Sequence, residues 1–324
     1  MTSSPHCRSG LAALLMMIAL PAAAQNYPTK PIRIIIPVQA AGAVDIVPRM
    51  LAEKMSADLG QPILLENKPG GLGMPAINDV MGSPADGHTI FAADASHWAI
   101  VPALQSVAYD FLRDFTPVSL VFTNGIIIVA GGNSGINTLK DLIAQARAKP
   151  GVLNYGTPGV GSVHHLVLAS LAATTGMDVR HIPYKGAGEM AESLLRGDTQ
   201  FTMISLPAVA PHAKAGKMKM LAVNMNRRMK LAPDVPTVEE AAGLTDFNYP
   251  GQQGFAVRTG TPKPIVDRIA ASMRKVGTPE FANGVLEKTG AEFTLTTPEQ
   301  FADLIRGDIR KYIQAVKVSG AKAN

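Results

Sequence analysis

The sequence predicts an α/β protein in which mostly parallel sheets are flanked by helices. Short runs rich in β-branched residues alternate along the chain with stretches whose apolar residues recur at helical spacing. Ile32–Ile36 is typical of a buried strand, and the stretch from Asp45 places Val47, Leu51 and Met55 on one face of a helix. The chain has 324 residues, of which 47% are hydrophobic, so it is long enough for two lobes that each bury a core.

The later elements follow from the same patterns. Apolar runs bounded by turn residues predict strands at residues 63–65, 89–93, 126–129, 153–155, 179–182, 200–204, 220–223 and 254–257. Helices are expected over residues 162–175 and 188–195, and after Thr138 and Thr237, each of which has an acidic residue three positions later. Thr-Pro pairs at 261–262 and 297–298 predict two more helix starts with proline at the first helical position. The last helix carries apolar residues at i, i+3 and i+4.

The first 24 residues have the pattern of a secretory signal peptide. His6 and Arg8 precede an apolar run over residues 11–20, and the alanines at 22–24 supply a small-residue cleavage site. The run is shorter than the roughly 20 residues that span a bilayer. We therefore expect cleavage near Ala24 and export to the periplasm, with an uncleaved anchor helix as the alternative.

Composition argues against several kinds of function. The one cysteine, Cys7, lies inside the predicted signal segment, so the exported chain has no thiol for a disulfide, a metal or a nucleophile. The formal net charge is +5, and basic residues concentrate between positions 214 and 230. We interpret this concentration as a solvated face, with a docking patch for a membrane partner as the alternative. No nucleic-acid-reading motif accompanies it, so we expect no nucleic-acid partner.

A glycine-containing loop after the first strand is a candidate binding element. It runs from Gln39 to Asp45 through Gly42 and Ala43. The start of a helix offers unpaired backbone N–H groups and a partial positive charge, which hold an anion without a charged side chain. The alternative is an ordinary strand-to-helix turn in which Asp45 caps the helix.

A second loop of the same kind lies in the middle of the chain. Thr157 and Ser162 contribute hydroxyl groups, and Gly159 and Gly161 leave the backbone open to a carboxylate. Here too the alternative is a turn in which Ser162 is only a helix cap. Two such loops, one in each half of the chain, favour a shared binding role.

Other chemistry finds no matching motif in the sequence. The glycines at 156, 159 and 161 do not fit the dinucleotide pattern, no lysine precedes Ser162 as a phosphate loop requires, and Met74-Pro75 interrupts a helix start after the glycines at 70–73. His164 and His165 are adjacent, so they point to different sides of a helix and are better assigned to packing or capping than to a metal. Nucleophile elbows and zinc-protease motifs are missing, and Trp98 is interpreted as a packing residue, with a wall against a ligand ring as the alternative.

Several ordered segments carry a resemblance to a known family. They are YPTKPI at 27–32, ENKPGG at 66–71, PADGHT at 84–89, DFTPV at 114–118, LNYG at 153–156, HIPYKG at 181–186, AKAGK at 213–217 and PDVPT at 233–237. With these segments the chain resembles the substrate-binding receptors of tripartite tricarboxylate transporters, the Bordetella-uptake-gene type. The likeness covers nearly all of the predicted exported chain.

The resemblance implies a two-lobe periplasmic binding protein fold, in which each lobe is a sheet flanked by helices. Residues 25–124 and 251–324 would form lobe 1, and residues 125–250 would form lobe 2. It implies a receptor rather than an enzyme, with no cofactor and no metal, that acts as a monomer. The receptor would capture a small carboxylate by hinge closure and deliver it to integral-membrane transporter subunits.

By resemblance, the ligand contacts extend beyond the two glycine loops to Ser96, His97, Tyr184, Gly186 and Ser205. Three departures from the family pattern bear on the ligand. The first loop, at residues 37–45, lacks prolines and a glycine of the family pattern and gains the amide of Gln39. Ser96-His97-Trp98 replaces a shorter turn, and Ile204-Ser205 replaces an Asp-Asn pair. Loss of that acidic residue lowers the rank of amino-acid ligands.

Two other functions stay open at this point. The same two lobes would serve a periplasmic accessory that presents its ligand to a signalling protein, and the sequence does not separate this from transport. An enzyme on an α/β scaffold is disfavoured because the nucleophile and metal motifs are missing.

Overall fold

Two mixed β-sheets, each flanked by helices, form the two lobes of the chain and confirm the predicted fold class. The computed structural model describes residues 27–40 and 42–322. The predicted signal segment, with Cys7, lies outside these residues, so its cleavage stays a prediction. Within the described part of the chain, no helix combines the length and the apolar character needed to cross a membrane.

The strands of the described residues are β1 Ile32–Ile36, β2 Ile63–Asn67, β3 Thr89–Asp94, β4 Phe115–Asn124, β5 Ile126–Gly131, β6 Asn154–Thr157, β7 Arg180–Pro183, β8 Phe201–Ser205, β9 Met218–Val223, β10 Gly251–Arg258 and β11 Glu292–Phe293.

The α-helices in the same residues are α1 Ala43–Leu59, α2 Met74–Gly82, α3 Val101–Leu104, α4 Phe111–Asp114, α5 Leu139–Ala148, α6 Val163–Thr175, α7 Ala187–Arg196, α8 Leu206–Lys214, α9 Val238–Ala242, α10 Lys263–Val276, α11 Pro279–Thr289 and α12 Pro298–Ser319. A 3₁₀ turn at Gly71–Gly73 precedes α2, and a π-helical turn at Ser96–Ile100 precedes α3.

The prediction that the sheets are mostly parallel was wrong. The first sheet has the order β11-β4-β10-β3-β1-β2, in which β1 pairs parallel with β2 and β3, while β10 and β11 pair antiparallel with their neighbours. The second has the order β7-β6-β8-β5-β9, in which β6 pairs parallel with β7 and β8, while β5 is antiparallel to β8 and β9. The antiparallel partners arise because the chain passes between the lobes twice, from β4 into β5 and from β9 back into β10. The returning strand β10 therefore enters lobe 1 from the opposite end.

Both sheets are buried on both faces, which explains why their strands are nearly continuous apolar runs. Ile34 and Ile36 belong to one core cluster of lobe 1, whereas Ile35 between them belongs to the cluster on the opposite face. Ile128 and Ile127 divide in the same way in lobe 2. The alternation follows from the two-residue repeat of a strand.

Several helix starts match the sequence prediction. Thr138 and Thr237 form capping boxes, and Thr297 caps α12 with Pro298 at its start. The pair at 261–262 begins its helix one residue later than predicted. Thr261 donates its hydroxyl to the carbonyl of Arg258 at 2.7 Å, and Pro262 occupies the cap position.

Five helices were missed by the sequence patterns: Met74–Gly82, Val101–Leu104, Phe111–Asp114, Leu206–Lys214 and Pro279–Thr289. The three longer ones each have a proline within their first two helical positions, where the missing N–H has no intrahelical partner to lose. The Met74-Pro75 pair therefore starts a helix, contrary to the prediction that it interrupts one.

A buried amide links the segments that cross between the lobes. Asn224, directly after β9, accepts a hydrogen bond from the N–H of Ile126 at 2.8 Å and donates to the carbonyl of Tyr249 at 2.5 Å. These partners lie on the two segments that connect the lobes. Asn224 thus ties the two connections to each other where the chain crosses between the lobes.

Candidate functional site

The candidate site lies where strand ends of the two sheets face the gap between the lobes. In lobe 1, Gln39 follows β1, and Ser96 and His97 follow β3. In lobe 2, the 157–162 loop (Thr157 to Ser162) follows β6, Tyr184 and Gly186 follow β7, and Ser205 ends β8. The register places Ile126, the first residue after the crossing, opposite Ser205, so these lobe 2 strands end at the side of the crossing. Ligands of open α/β sheets bind at such carboxyl ends.

The first lobe 1 loop is locked by an internal network. Asp45 accepts hydrogen bonds from Arg49 (Nε and Nη2, both 2.9 Å) and from Nδ2 of Asn67 at 2.8 Å. Asn67 also donates to the carbonyl of Val38 at 3.0 Å. The hydrogen bond from Arg49 holds the pKa of Asp45 below its usual value, although burial opposes this. These hydrogen bonds from Arg49 and Asn67 engage the buried Asp45 carboxylate, which thereby sets the shape of the loop.

The helix start beside this network presents open backbone donors. Gly42 is the cap residue of α1, with a φ of 67°, and no side chain caps the helix. The N–H groups of Ala43 and Val44 find no acceptor among the described residues. Gln39 is exposed just before them. These donors and the Gln39 amide are available to an anion.

His97 is buried at the base of the candidate site in lobe 1. The Nδ1 atom of His97 lies 2.9 Å from Oδ1 of Asp94, which also accepts the N–H of Ser96 at 2.8 Å. Burial would raise the pKa of Asp94, but His97 and the Ser96 N–H together hold it below its usual value. On the other side, a Cβ atom on Gly73 would lie 2.3 Å from Nε2 of His97, so only glycine fits there.

A cavity of about 200 Å³ lies next to His97. Its lining is mainly apolar, with one carboxylate; the residues are Pro37, Val38, Gly70, Leu72, Gly73, Asp94, Ser96, His97 and Val101. Ser96 and His97 were predicted for the site, whereas the Gly70–Gly73 segment was not. Its run of glycines was the available signal, and three of them have positive φ.

In lobe 2, Ser162 is the N-cap of α6, as the alternative interpretation of the loop held. Its Oγ accepts the N–H of His165 at 3.2 Å and donates to the carbonyl of Gly159 at 2.8 Å. The N–H groups of Val163 and His164, first in the helix, have no acceptor in the described part of the chain. Capping therefore leaves two backbone donors directed out of the helix start.

The remaining predicted residues of lobe 2 lie at the ends of the neighbouring strands. The N–H of Tyr184 donates to the carbonyl of Thr157 at 2.8 Å, which ties the two loops together. Gly186 is the cap residue of α7, and Ser205 is the cap residue of α8, exposed and without a side-chain cap bond. The structure thus brings all the predicted lobe 2 residues to one edge of the sheet.

The two lobes touch at this edge. A Cβ atom on Gly161 would lie 2.6 Å from Cδ1 of Leu104, which is half-buried and packs against the core of lobe 1. The 157–162 loop therefore lies directly against lobe 1.

Trp98 is a packing residue and does not line the cavity. It is 1% exposed, its ring packs edge-on against Phe301 at 5.5 Å, and its Nε1 donates to Oδ2 of Asp308 at 3.0 Å.

Sequence reasoning missed Gln253 on β10, which donates to the carbonyl of Val44 at 2.8 Å. Its buried Oε1 has no partner among the described residues.

A larger cavity, of about 610 Å³, lies at the other end of the second sheet, next to Gly131, Arg196 and Gly216. No predicted ligand residue borders it. It is remote from the strand ends that face lobe 1, because β5 begins there and reaches Gly131 only at its far end. We therefore place the candidate site at the gap between lobes.

The arrangement suits an anion held by neutral donors. Backbone N–H groups at the starts of α1 and α6 face the gap, and helix starts carry a partial positive charge. No group of three or more His, Cys, Asp or Glu residues in the described ranges is placed to hold a metal ion. Two lobes with such loops at facing strand ends define a solute-binding receptor.

Comparison with known proteins gives the family. The family model described as "Tripartite tricarboxylate transporter family receptor" matches residues 47–320, and the chain belongs to this family. BugT of Bordetella pertussis is 30% identical over 307 residues, which cover 94% of each chain. The members are periplasmic solute-binding proteins, so the chain is a receptor and not an enzyme, as predicted.

Two solved structures are similar over most of the chain. An R. palustris protein solved with adipate superposes with a TM-score of 0.78 at 27% identity, covering 91% of this chain and 99% of that one. MatC from Rhodopseudomonas palustris, solved with bound malate, has a TM-score of 0.73 at 26% identity, covering 90% and 100%.

Proposed function

We propose that this receptor captures a small dicarboxylate between its lobes in the periplasm and delivers it to integral-membrane transporter subunits. The observation that carries the proposal is the pair of helix starts, at α1 and α6, whose open N–H groups face the gap from opposite lobes. A ligand that contacts both lobes stabilises the closed arrangement by its differential affinity for it.

The charges on the two walls favour one orientation of the ligand. Asp94 places a carboxylate in the lining of the lobe 1 cavity, which disfavours a ligand anion against that wall. The 157–162 loop across the gap presents the N–H groups of Val163 and His164 and has no acidic residue. One ligand carboxylate is therefore assigned to the 157–162 loop, and the second to the open start of α1.

The size of the cavity supports a short, flexible ligand. About 200 Å³ of mostly apolar lining accommodates a few methylene groups between two carboxylates. The relatives solved with adipate and with malate fit this class. Delivery to a membrane transporter is supported by the family to which the chain belongs. Action as a monomer stays a prediction.

The test is a thermal-shift screen of the purified protein against mono-, di- and tricarboxylates, with malate and adipate included, followed by calorimetric titration of each hit. A ligand at a hundred times its dissociation constant should stabilise the protein by about 2.7 kcal/mol. We expect hits among dicarboxylates, and affinity that is unchanged by a chelator.

A screen in which only amines or sugars stabilise the protein would contradict the proposal, as would binding that a chelator abolishes and a divalent ion restores. For the delivery step, the receptor and its ligand are reconstituted with candidate membrane subunits in vesicles. Uptake that is independent of the receptor would refute delivery while leaving ligand capture intact.

A further inference from the structure

Four aromatic rings form a stack that begins next to the 157–162 loop. The rings of His165 and His181 are 3.9 Å apart between centroids and nearly parallel, at an interplanar angle of 11°. Tyr155 stacks on His181 at 5.1 Å, and Phe201 packs under Tyr155 at 5.5 Å. The two histidines come from different elements, α6 and β7, and are brought together only by the fold.

Each histidine bonds to one end of the loop. Nδ1 of His165 accepts the N–H of Gly161 at 3.1 Å, so this nitrogen carries no proton. Nε2 of His181 lies 2.6 Å from Oγ1 of the fully buried Thr157, which in turn accepts the N–H of Gly159 at 3.3 Å. The stacked pair thus connects the first residue of the loop to its last glycine.

The geometry requires a neutral His165 and disfavours a charge on both rings together. A proton on Nδ1 of His165 would replace the acceptor for Gly161 with a donor, and two imidazolium rings in contact would repel each other. Burial lowers the pKa of His165, and burial together with His165 lowers that of His181 to about 4. The titratable group that stacks on both rings is Tyr155, and no carboxylate in the described residues bonds to either ring.

We propose that His165 and His181 are positioning residues for the ligand, whose neutral, stacked rings hold both ends of the 157–162 loop in the shape that receives a carboxylate. The inference rests on the proposed function, because it assigns that loop to the ligand. Neither ring needs to touch the ligand. The pair acts through Gly161 and Thr157.

The proposal predicts a dependence of binding on pH. The pKa of His181 is lowered to about 4 and that of His165 also lies below the usual 6.5, so affinity is unaffected by the pair between pH 8 and about 6. Affinity then falls towards pH 4 as the rings become charged and the loop loses its support. The free energy of unfolding falls over the same range, because the unfolded chain binds protons before the folded chain does.

The experiment compares three variants with malate and adipate as probes. His165→Leu removes the acceptor for Gly161 and should weaken binding about tenfold at pH 7.5. His165→Asn keeps an acceptor at the position of Nδ1 but does not titrate, so it should bind within about threefold of wild type. It should also lose less affinity than wild type between pH 7 and pH 4.5. His212→Asn on α8, remote from the loop, is the matched control and should behave as wild type.

A readout without ligand separates this inference from the proposed function. Two-bond ¹H–¹⁵N spectra of the imidazole rings at pH 7 should show an unprotonated Nδ1 in His165 and a neutral His181. A protonated Nδ1 in His165 would overturn the inference, whether or not a ligand is known. If wild type binds no carboxylate of the screen, the proposed function fails, and the spectra still decide the state of the pair.

Two binding results also refute the proposal. The first is His165→Leu binding a probe as tightly as wild type. The second is His165→Asn binding as weakly as His165→Leu with an unchanged pH profile, which would make the residue merely structural. Melting without ligand identifies variants that fail to fold, and the ring spectra of wild type then carry the test.

Discussion

The contact between Gly161 and Leu104 allows a direct test of lobe closure. Gly161 has a φ of 75°, and an alanine Cβ there would lie 2.6 Å from Cδ1 of Leu104 on the opposite lobe. Gly161→Ala therefore has two costs. The left-handed backbone costs roughly 1 kcal/mol in any state of the protein. The contact with Leu104 costs about 1–3 kcal/mol, and only when the lobes are together.

Because the second cost falls on the closed form, it appears in ligand affinity. A penalty of 1–3 kcal/mol corresponds to roughly a five- to 150-fold weaker affinity. The assay is calorimetric titration of the dicarboxylate found in the screen, with thermal melting of the unliganded protein measured alongside.

Gly176→Ala is the matched control. Gly176 ends the same helix, α6, has a φ of 66°, and has only the Arg147 side chain at 3.9 Å from a built Cβ. It should lower stability by roughly 1 kcal/mol and leave affinity unchanged. Combining Gly161→Ala with Leu104→Ala should restore most of the affinity lost. Equal affinities for Gly161→Ala and Gly176→Ala, or no rescue by Leu104→Ala, would refute the closing contact.

Three further changes test individual residues. Ser162→Ala should lower the free energy of unfolding by about 1 kcal/mol through the lost cap and weaken ligand binding by about tenfold. The control Ser134→Ala also removes a hydroxyl that donates to a backbone carbonyl, and it should leave affinity unchanged. A Ser162→Ala variant that only melts earlier would make the residue a cap alone. Trp98→Phe leaves Asp308 without its donor and should cost about 1–3 kcal/mol of stability with normal affinity, so a loss of affinity at normal stability would contradict the packing role. Hydrogen bonds from Lys275 and Arg268 hold the pKa of Asp58 well below its usual 3.8, so wild-type stability should fall as the pH drops below about 4. Asp58→Asn should cost about 1–2 kcal/mol at pH 7 and flatten that fall in urea unfolding; a variant with the same pH dependence as wild type would refute the assignment.

Local patterns were enough to predict most elements of the fold. Threonine caps at 138, 237 and 297 and the apolar strands required only neighbouring residues, because capping and strand burial are short-range effects. Strand direction was not predictable in this way. The antiparallel position of β10 depends on its return from lobe 2, which no local pattern encodes.

The candidate site, too, could be predicted from the sequence only in part. The resemblance pointed to the loops at Gln39, Ser96 and Thr157, and the structure brings these to facing strand ends, although their contact with a ligand stays a prediction. The fit of His97 against Gly73 and the stacking of His165 on His181 join residues 24 and 16 positions apart. Such contacts are set by tertiary packing, and adjacent histidines in the sequence gave no sign that the partner of His165 would be His181.

A crystal structure of the protein with the dicarboxylate found in the screen tests the central claim most directly. We predict one ligand carboxylate within hydrogen-bond distance of the N–H groups of Val163 and His164, and the other within hydrogen-bond distance of the N–H groups of Ala43 and Val44. Ligand bound in the larger cavity beside Gly131, or against one lobe only, would contradict the account.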